Sequence, residues 1–134
     1  MQIVHKGANP KVTIVGGGVT IHEALKASKA LEADGVDVIV VDPFTIKPLD
    51  SKTICQAVSS TGGLVVTVED HYPTGGIGEA VAAALTEHAV KNVKQVLLAV
   101  QEVPRSGTPD QLLAKYRINA SAIAQSVINL IASA

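Results

Sequence analysis

The amino-acid sequence predicts an α/β fold: a three-layer α/β/α sandwich around a mixed, mostly parallel sheet of about five strands, with one antiparallel edge strand. Short apolar runs rich in β-branched residues alternate with segments whose apolar residues recur at helical spacing. Glycine, proline and aspartate separate the two kinds of segment. Strands that alternate with helices in this way form parallel β–α–β units, because the crossover connection is right-handed.

Four apolar runs are the predicted parallel strands: Val12 to Val15, Val36 to Val41, Leu64 to Val68 and Val96 to Val100. The near-continuous apolarity of the second and third runs indicates burial on both faces of the sheet. The opening segment, Gln2 to His5, lies only a few residues before Val12. Such a short connection cannot hold a crossover, so we expect this segment to pair antiparallel at an edge.

The predicted helices have recognisable starts and one clear apolar face. We expect N-caps at Thr20, Asp50 and Asn119, since their side-chain oxygens can accept hydrogen bonds from free N–H groups. The third helix has apolar residues at helical spacing that end on a histidine: Ile77, Ala80, Val81, Ala84, Leu85 and His88. A shorter helix is expected near Asp110 to Tyr116.

Composition bounds the class of protein. The chain has 134 residues, 47% hydrophobic and 17% charged, which fits a single globular domain over residues 1–134, with residues 1–10 as edge strand and turn. Aromatic residues make up 2% and the net charge is −1, so neither base stacking nor a basic surface favours nucleic-acid binding. The longest apolar runs have five or six residues, well short of the ~20 that span a bilayer. We expect no membrane partner.

Cys55 is the only cysteine, so no intrachain disulfide can form. It falls in a helical pattern between Ile54 and Val58, which favours a buried, inert thiol. This use of cysteine fits a reducing compartment, and we expect a cytoplasmic protein.

The turn Gly16-Gly17-Gly18 lies between a strand and a helix, where dinucleotide-binding proteins have their glycine-rich turn. Asp42, at the end of the next strand, is where the ribose-binding acid would lie. The third glycine of that pattern is absent, because Ile21 stands in its place. We therefore interpret the turn as one that lets helix and strand pack closely, and nucleotide binding is the weaker alternative.

A second candidate, Glu69 to Glu79, runs from the carboxyl end of a strand into a helix N-terminus, where open α/β sheets bind ligands and anions. It has no lysine followed by serine or threonine, so it is not a nucleotide P-loop. Adjacent side chains in an extended segment point to opposite faces, which argues against one catalytic cluster. Interface or anion-binding candidates here are Glu69, Asp70, His71, Gly75, Gly76 and Gly78.

Arg105, in the loop Val103-Pro104-Arg105-Ser106-Gly107, can clamp a phosphate or carboxylate, or pair with an acid of its own protein or of a partner. His5, His22 and His88 show no metal-ligand spacing. The residues give no complete set of nucleophile, base and orienting group, and we expect no catalytic and no metal-binding residue.

Four segments occur in order along the chain: Val12-Thr13-Ile14-Val15-Gly16 through His22-Glu23-Ala24-Leu25, Asp42-Pro43-Phe44-Thr45-Ile46-Lys47-Pro48-Leu49-Asp50, Val68-Glu69-Asp70-His71 through Gly75-Gly76-Ile77-Gly78-Glu79-Ala80, and Val103-Pro104-Arg105-Ser106-Gly107. Together they resemble one known family, the carboxy-terminal domain of transketolases, in its animal-type branch. The resemblance runs from about residue 11 to residue 130. Related domains occur in β subunits of 2-oxo-acid dehydrogenases and in 1-deoxyxylulose-5-phosphate synthase, but the proline-arginine-serine-glycine segment favours transketolase.

The resemblance implies a parent enzyme of the pentose phosphate pathway that uses thiamine diphosphate and Mg or Ca to move a two-carbon ketol unit between sugar phosphates. In that family the cofactor-binding and activating residues lie on the diphosphate- and pyrimidine-binding domains, so this domain is expected to bind no cofactor. The third domain adds contact area to the homodimer and packs beside the catalytic domains, which are the expected partners. Two alternatives stay open: a stand-alone anion- or nucleotide-binding module, and the separate C-terminal subunit of a split transketolase.

Overall fold

The computed structural model describes residues 2–44, 49–70, 75–100 and 107–134. The strands are β1 (Gln2–Lys6), β2 (Pro10–Gly16), β3 (Asp37–Asp42), β4 (Leu64–Val68) and β5 (Lys94–Leu98). The helices are α1 (Val19–Ala33), α2 (Ser51–Ser60), α3 (Ile77–Glu87), α4 (Pro109–Lys115) and α5 (Ala120–Ser133). The sheet order is β1-β3-β2-β4-β5, with β1 antiparallel to β3 and the other neighbours parallel. The predicted fold class is confirmed.

β1 is the antiparallel edge strand that the short first connection predicts, but its neighbour in the sheet is β3 and not β2. The connection between β1 and β2 passes the start of β3. There the Asn9 N–H donates to the Asp37 carboxylate at 3.0 Å, and the Gly7 N–H donates to the Val38 carbonyl at 3.1 Å. A side chain at Gly7 would lie 2.5 Å from Asp37 Cβ, so the crossing requires glycine.

Helices cover the two faces of the sheet with separate aliphatic cores. The first core joins α1 and α5 to one face through buried residues that include Val12, Ile14, Leu31, Ile123 and Val127. The second core joins α2 and α3 to the other face through Val15, Ile39, Ile54, Cys55, Val81 and Leu85. Strands buried on both sides explain why their sequences read as continuous apolar runs.

Two of the three predicted N-caps are confirmed. The Asp50 carboxylate accepts a hydrogen bond from the Thr53 N–H at 3.2 Å, and Asn119 Oδ1 accepts from the Ala122 N–H at 3.0 Å. The prediction for Thr20 is wrong, because α1 begins at Val19 with Gly18 as its N-cap. Thr20 instead lies buried in the first turn of α1.

The element ends differ slightly from those that apolar periodicity predicts. β5 begins at Lys94, two residues before the predicted Val96, because polar residues can pair at an edge that is partly exposed. α3 ends at Glu87, and His88 is its exposed C-cap, so the prediction that His88 continues the helix is wrong.

Candidate functional site

The carboxyl ends of the parallel strands lie at one edge of the sheet, and hydrogen bonds hold the first turn of α1 at this edge. Gly16, at the end of β2, pairs with Val68, at the end of β4. The Thr20 hydroxyl lies 3.0 Å from the Val68 carbonyl and 2.6 Å from the Gly17 carbonyl, and it accepts from the Gly17 N–H at 3.0 Å. This hydroxyl therefore ties the glycine turn and α1 to β4.

The glycine turn is also packed closely. A Cβ at Gly17 would lie 3.0 Å from Ile77 Cδ1, and one at Gly16 would lie 3.2 Å from Val68 Cγ1. These distances support the interpretation of Gly16 to Gly18 as a packing turn, since substituents there would press on α3 and β4.

Glu69 is buried, with 1% of its surface exposed. It follows β4 directly, and its N–H donates to the Leu98 carbonyl at 3.0 Å, which extends the pairing of β4 with β5. Oε1 accepts from the Ile77 N–H at 2.9 Å, and Oε2 accepts from the Gly78 N–H at 2.8 Å. The carboxylate therefore caps the N-terminus of α3, where the helix dipole favours negative charge.

Gly78 and Gly76 are buried in the start of α3. A Cβ at Gly78 would lie 2.6 Å from Leu97 Cδ2 and 3.0 Å from Thr67 Oγ1, so the missing side chain lets the helix approach the sheet closely. Gln95 Nε2 donates to the Gly78 carbonyl at 2.9 Å. These contacts fix the position of the first turn of α3 relative to β4 and β5.

We call the segment from the end of β4 to the first turn of α3 the junction. Three of its described residues are exposed: Asp70, Gly75 and Glu79. The Gly75 N–H donates to Glu79 Oε1 at 2.7 Å, and its φ of 73° lies in the left-handed region that favours glycine. Asp70 borders a cavity of about 210 Å³ whose wall is otherwise mainly apolar, including Val19 and Val100. Asp70 and Gly75 are therefore open to solvent, whereas Glu69 is buried.

His71 and Arg105, the remaining candidates, lie outside the described residues. In the ranges that are described, no three His, Cys, Asp or Glu side chains come close enough to hold a metal ion. His22 is exposed on α1, and His88 is exposed at the C-cap of α3. Cys55 is a buried free thiol, and burial raises its pKa, which agrees with an inert role.

Phe44 is a surface residue that sequence reasoning did not single out. It is 63% exposed just beyond the carboxyl end of β3, and its φ of 58° is unusual for an aromatic residue. Its N–H donates to Asp42 Oδ1 at 2.9 Å, which holds this conformation. The signal was available, because Phe44 is the only phenylalanine and follows a strand end.

Val19, 41% exposed at the start of α1, is a second exposed apolar residue at this edge. We use the name carboxyl-edge surface for the exposed residues Val19, Phe44, Asp70, Gly75 and Glu79. Aromatic residues such as Phe44 are enriched at contact surfaces between proteins.

Comparison with known proteins gives a consistent family. The model of the family "Transketolase, C-terminal domain" matches residues 2–123. The chain is 50% identical over 126 residues to mouse transketolase-like protein 2, covering 94% of this chain and 20% of that protein. It is 47% identical over 133 residues to human transketolase, covering 99% of this chain and 21% of that protein. The chain thus spans about a fifth of the length of these relatives.

A solved structure described as "Split gene transketolase, inactive beta4 tetramer" is similar in fold and sequence. It superposes with a TM-score of 0.87 at 35% identity, covering 98% of this chain and 42% of that one. No helix in the described ranges is long and apolar enough to cross a membrane. From the family match and the animal relatives, the chain belongs to the transketolase C-terminal domain family.

Proposed function

We propose that the chain is the C-terminal domain of a cytoplasmic transketolase and serves docking rather than catalysis. The whole protein would transfer a two-carbon ketol unit between sugar phosphates in the pentose phosphate pathway, with thiamine diphosphate and a divalent metal. The observation that carries this proposal is the family match over residues 2–123 together with animal transketolase relatives. The single buried thiol of Cys55 supports the reducing compartment.

The proposed partners are the diphosphate- and pyrimidine-binding domains of the same enzyme, within its homodimer. This chain covers only about a fifth of its curated relatives, so those relatives have further domains. The carboxyl-edge surface is the proposed contact, because Phe44 and Val19 present exposed apolar area there. His71 and Arg105, which lie outside the described residues, are proposed to contribute to the same contact.

Glu69, Gly76 and Gly78 have a supporting role in this proposal. The buried carboxylate and the close helix packing hold the first turn of α3 against β4 and β5. A helix start that is fixed before a partner binds lowers the entropic cost of the contact.

The junction does not fit a diphosphate group. The N–H groups of Ile77 and Gly78, which an anion would use at the start of α3, already bind the Glu69 carboxylate. A diphosphate placed there would also approach a buried negative charge. This supports the proposal that the domain binds no thiamine diphosphate, and it disfavours the alternative of an anion-binding module at this turn.

A variant of the full-length enzyme tests the docking role. Phe44→Ser removes an exposed aromatic anchor, and we expect the homodimer dissociation constant to rise at least tenfold, about 1.4 kcal/mol. The matched control is Ile128→Ser, which removes another exposed apolar residue, 42% exposed on α5. Dimer dissociation is measured by sedimentation velocity, and turnover is measured in parallel.

The docking proposal loses its support if Phe44→Ser dissociates and turns over like Ile128→Ser. The same comparison applies to His71→Ala. Both outcomes are read only for variants that keep the unfolding midpoint of the parent protein.

The similarity to a split-gene transketolase favours a second candidate, a separate C-terminal subunit. The reading frame upstream of Gln2 decides between the two. A continuous frame of several hundred codons would establish a domain of a longer enzyme, and a stop codon would establish a separate subunit.

A further inference from the structure

The sheet has two edges, and they differ in how well they are protected. β1 has an irregular register between Ile3 and His5, and its exposed ends are Gln2 and Lys6. The irregular pairing and the charged side chain of Lys6 discourage the addition of another strand. The other edge is β5, whose register with β4 is regular over all five residues.

The hydrogen bonds of β5 show which backbone groups face outward. The Lys94 N–H donates to the Gly63 carbonyl at 2.9 Å, and the Leu98 carbonyl accepts from the Glu69 N–H at 3.0 Å. Because backbone groups alternate in direction along a strand, Gln95 and Leu97 point their N–H and C=O groups away from β4. Within the part of the chain that the structure describes, no strand pairs with these outer groups.

Side chains leave this edge open. The Lys94 ammonium donates to the Ser133 carbonyl at 2.7 Å, so the lysine that could guard the edge is held against the end of α5. Leu97 is 38% exposed and Val93 is 37% exposed. Between α3 and the edge lies a cavity of about 390 Å³ whose lining includes Ala82, Val93 and Gln95.

We propose that the β5 edge pairs with β5 of a second copy of this chain, antiparallel, about a two-fold axis at Val96. This register places Gln95 of each copy opposite Leu97 of the other. Both residues direct their backbone groups outward, so each such pair exchanges two hydrogen bonds and the dimer gains four. The two five-stranded sheets become one continuous sheet of ten strands.

Charge and symmetry favour a second copy over a different strand. In this register Lys94 lies opposite Leu98 of the other copy, so no like charges face each other across the axis. The net charge of −1 gives little repulsion between two copies. The interface is small and self-complementary, which predicts a weak dimer that depends on concentration.

Amide hydrogen exchange of this chain tests the pairing at two concentrations, about 10 µM and about 1 mM, which bracket a weak dimer. We expect exchange of the Gln95 and Leu97 amides to slow at least tenfold at the higher concentration. The Val96 and Leu98 amides, which bond to β4, should be protected equally at both. Concentration-independent exchange at Gln95 and Leu97 would overturn the proposal.

Variants at Leu97 separate backbone pairing from side-chain contact. Leu97→Pro removes an N–H that points away from β4, so no hydrogen bond to β4 is lost, which is why proline is tolerated in edge strands. Sedimentation velocity at about 1 mM should then detect only the monomer. Leu97→Ala keeps that N–H and should still dimerise. Leu97→Lys places two cations near the axis and should raise the dimer dissociation constant at least tenfold. This variant tests the same pairing if the proline variant does not fold.

A dimer that persists in both Leu97→Pro and Leu97→Lys would contradict pairing through this edge. The result is independent of the docking proposal. Docking uses the carboxyl ends of the strands, whereas this pairing uses the outer side of β5.

Discussion

Replacement of Glu69 probes the contact on which the carboxyl-edge junction depends. Glu69→Ala would leave the buried N–H groups of Ile77 and Gly78 without the carboxylate that accepts from them at 2.9 and 2.8 Å. Glu69→Gln keeps one acceptor oxygen, but it removes the charge and turns an amide donor toward a backbone donor. The two variants therefore separate the loss of charge from the loss of both acceptors.

The magnitude follows from the number of bonds. A hydrogen bond to a charged group contributes about 1.5–3 kcal/mol, so loss of both should cost about 3–6 kcal/mol in Glu69→Ala. Glu69→Gln should cost about 1.5–3 kcal/mol, since one bond survives. Against a typical domain stability of about 5–15 kcal/mol, the alanine variant is close to the limit of folding.

Urea unfolding followed by far-UV circular dichroism measures these differences, because the chain has no tryptophan to report by fluorescence. Glu79→Gln is the matched control: Glu79 accepts from the Gly75 N–H in the same junction but is exposed. It should change the free energy of unfolding by less than about 0.5 kcal/mol. If Glu69→Ala unfolds within about 1 kcal/mol of the unchanged protein, the capping role assigned to Glu69 is refuted.

Three further predictions concern other contacts that stabilise the fold. Gly63→Ala should lower the free energy of unfolding by about 3 kcal/mol or more, because its Cβ would lie 2.4 Å from the Asn92 carbonyl oxygen. Gly62→Ala is the control, since Gly62 has a similar positive φ but open space around it. It should lower the free energy of unfolding, measured in urea, by only about 1–2 kcal/mol. Thr20→Val should lose about 1–3 kcal/mol, since its hydroxyl ties α1 to β4, and Thr20→Ser should recover most of that loss in the same assay. Hydrogen bonds from the Thr53 side chain and backbone lower the pKa of Asp50 below its ordinary value of 3.8. The carboxylate therefore stabilises the fold above that pH and loses this effect as the pH falls through the lowered pKa. Asp50→Asn has a cap that does not titrate, so its difference in unfolding free energy from the unchanged protein should shrink over that pH range, and a constant difference would contradict the assignment.

Periodicity predicts the four parallel strands and the five helices, because the pattern of apolar residues records their burial. The antiparallel edge strand is predicted by the short connection that follows it. Periodicity does not predict that β1 lies beside β3, since that position depends on the contacts of Gly7 and Asn9 with β3. Nor does it separate an N-cap from a first-turn hydroxyl, as Thr20 illustrates. Its bond to Val68 joins residues 48 positions apart.

The sequence also places Glu69, Gly76 and Gly78 at one junction, because a strand end followed by a glycine-rich helix start leaves few other arrangements. It does not reveal which of them face solvent. The burial of Glu69 and the exposure of Phe44 depend on long-range packing of β4 against β5 and on the conformation after β3. The burial of Glu69 changes the junction from a candidate anion site into a capped helix start, and the exposed Phe44 belongs to the surface that we propose for docking.

The most direct measurement of the central claim is calorimetric titration of this chain with thiamine diphosphate and Mg²⁺. A docking domain whose helix start is filled by Glu69 should give no heat of binding up to about 1 mM cofactor. Binding with micromolar affinity would contradict the account, because it would require a cofactor site on the domain that the account assigns to docking.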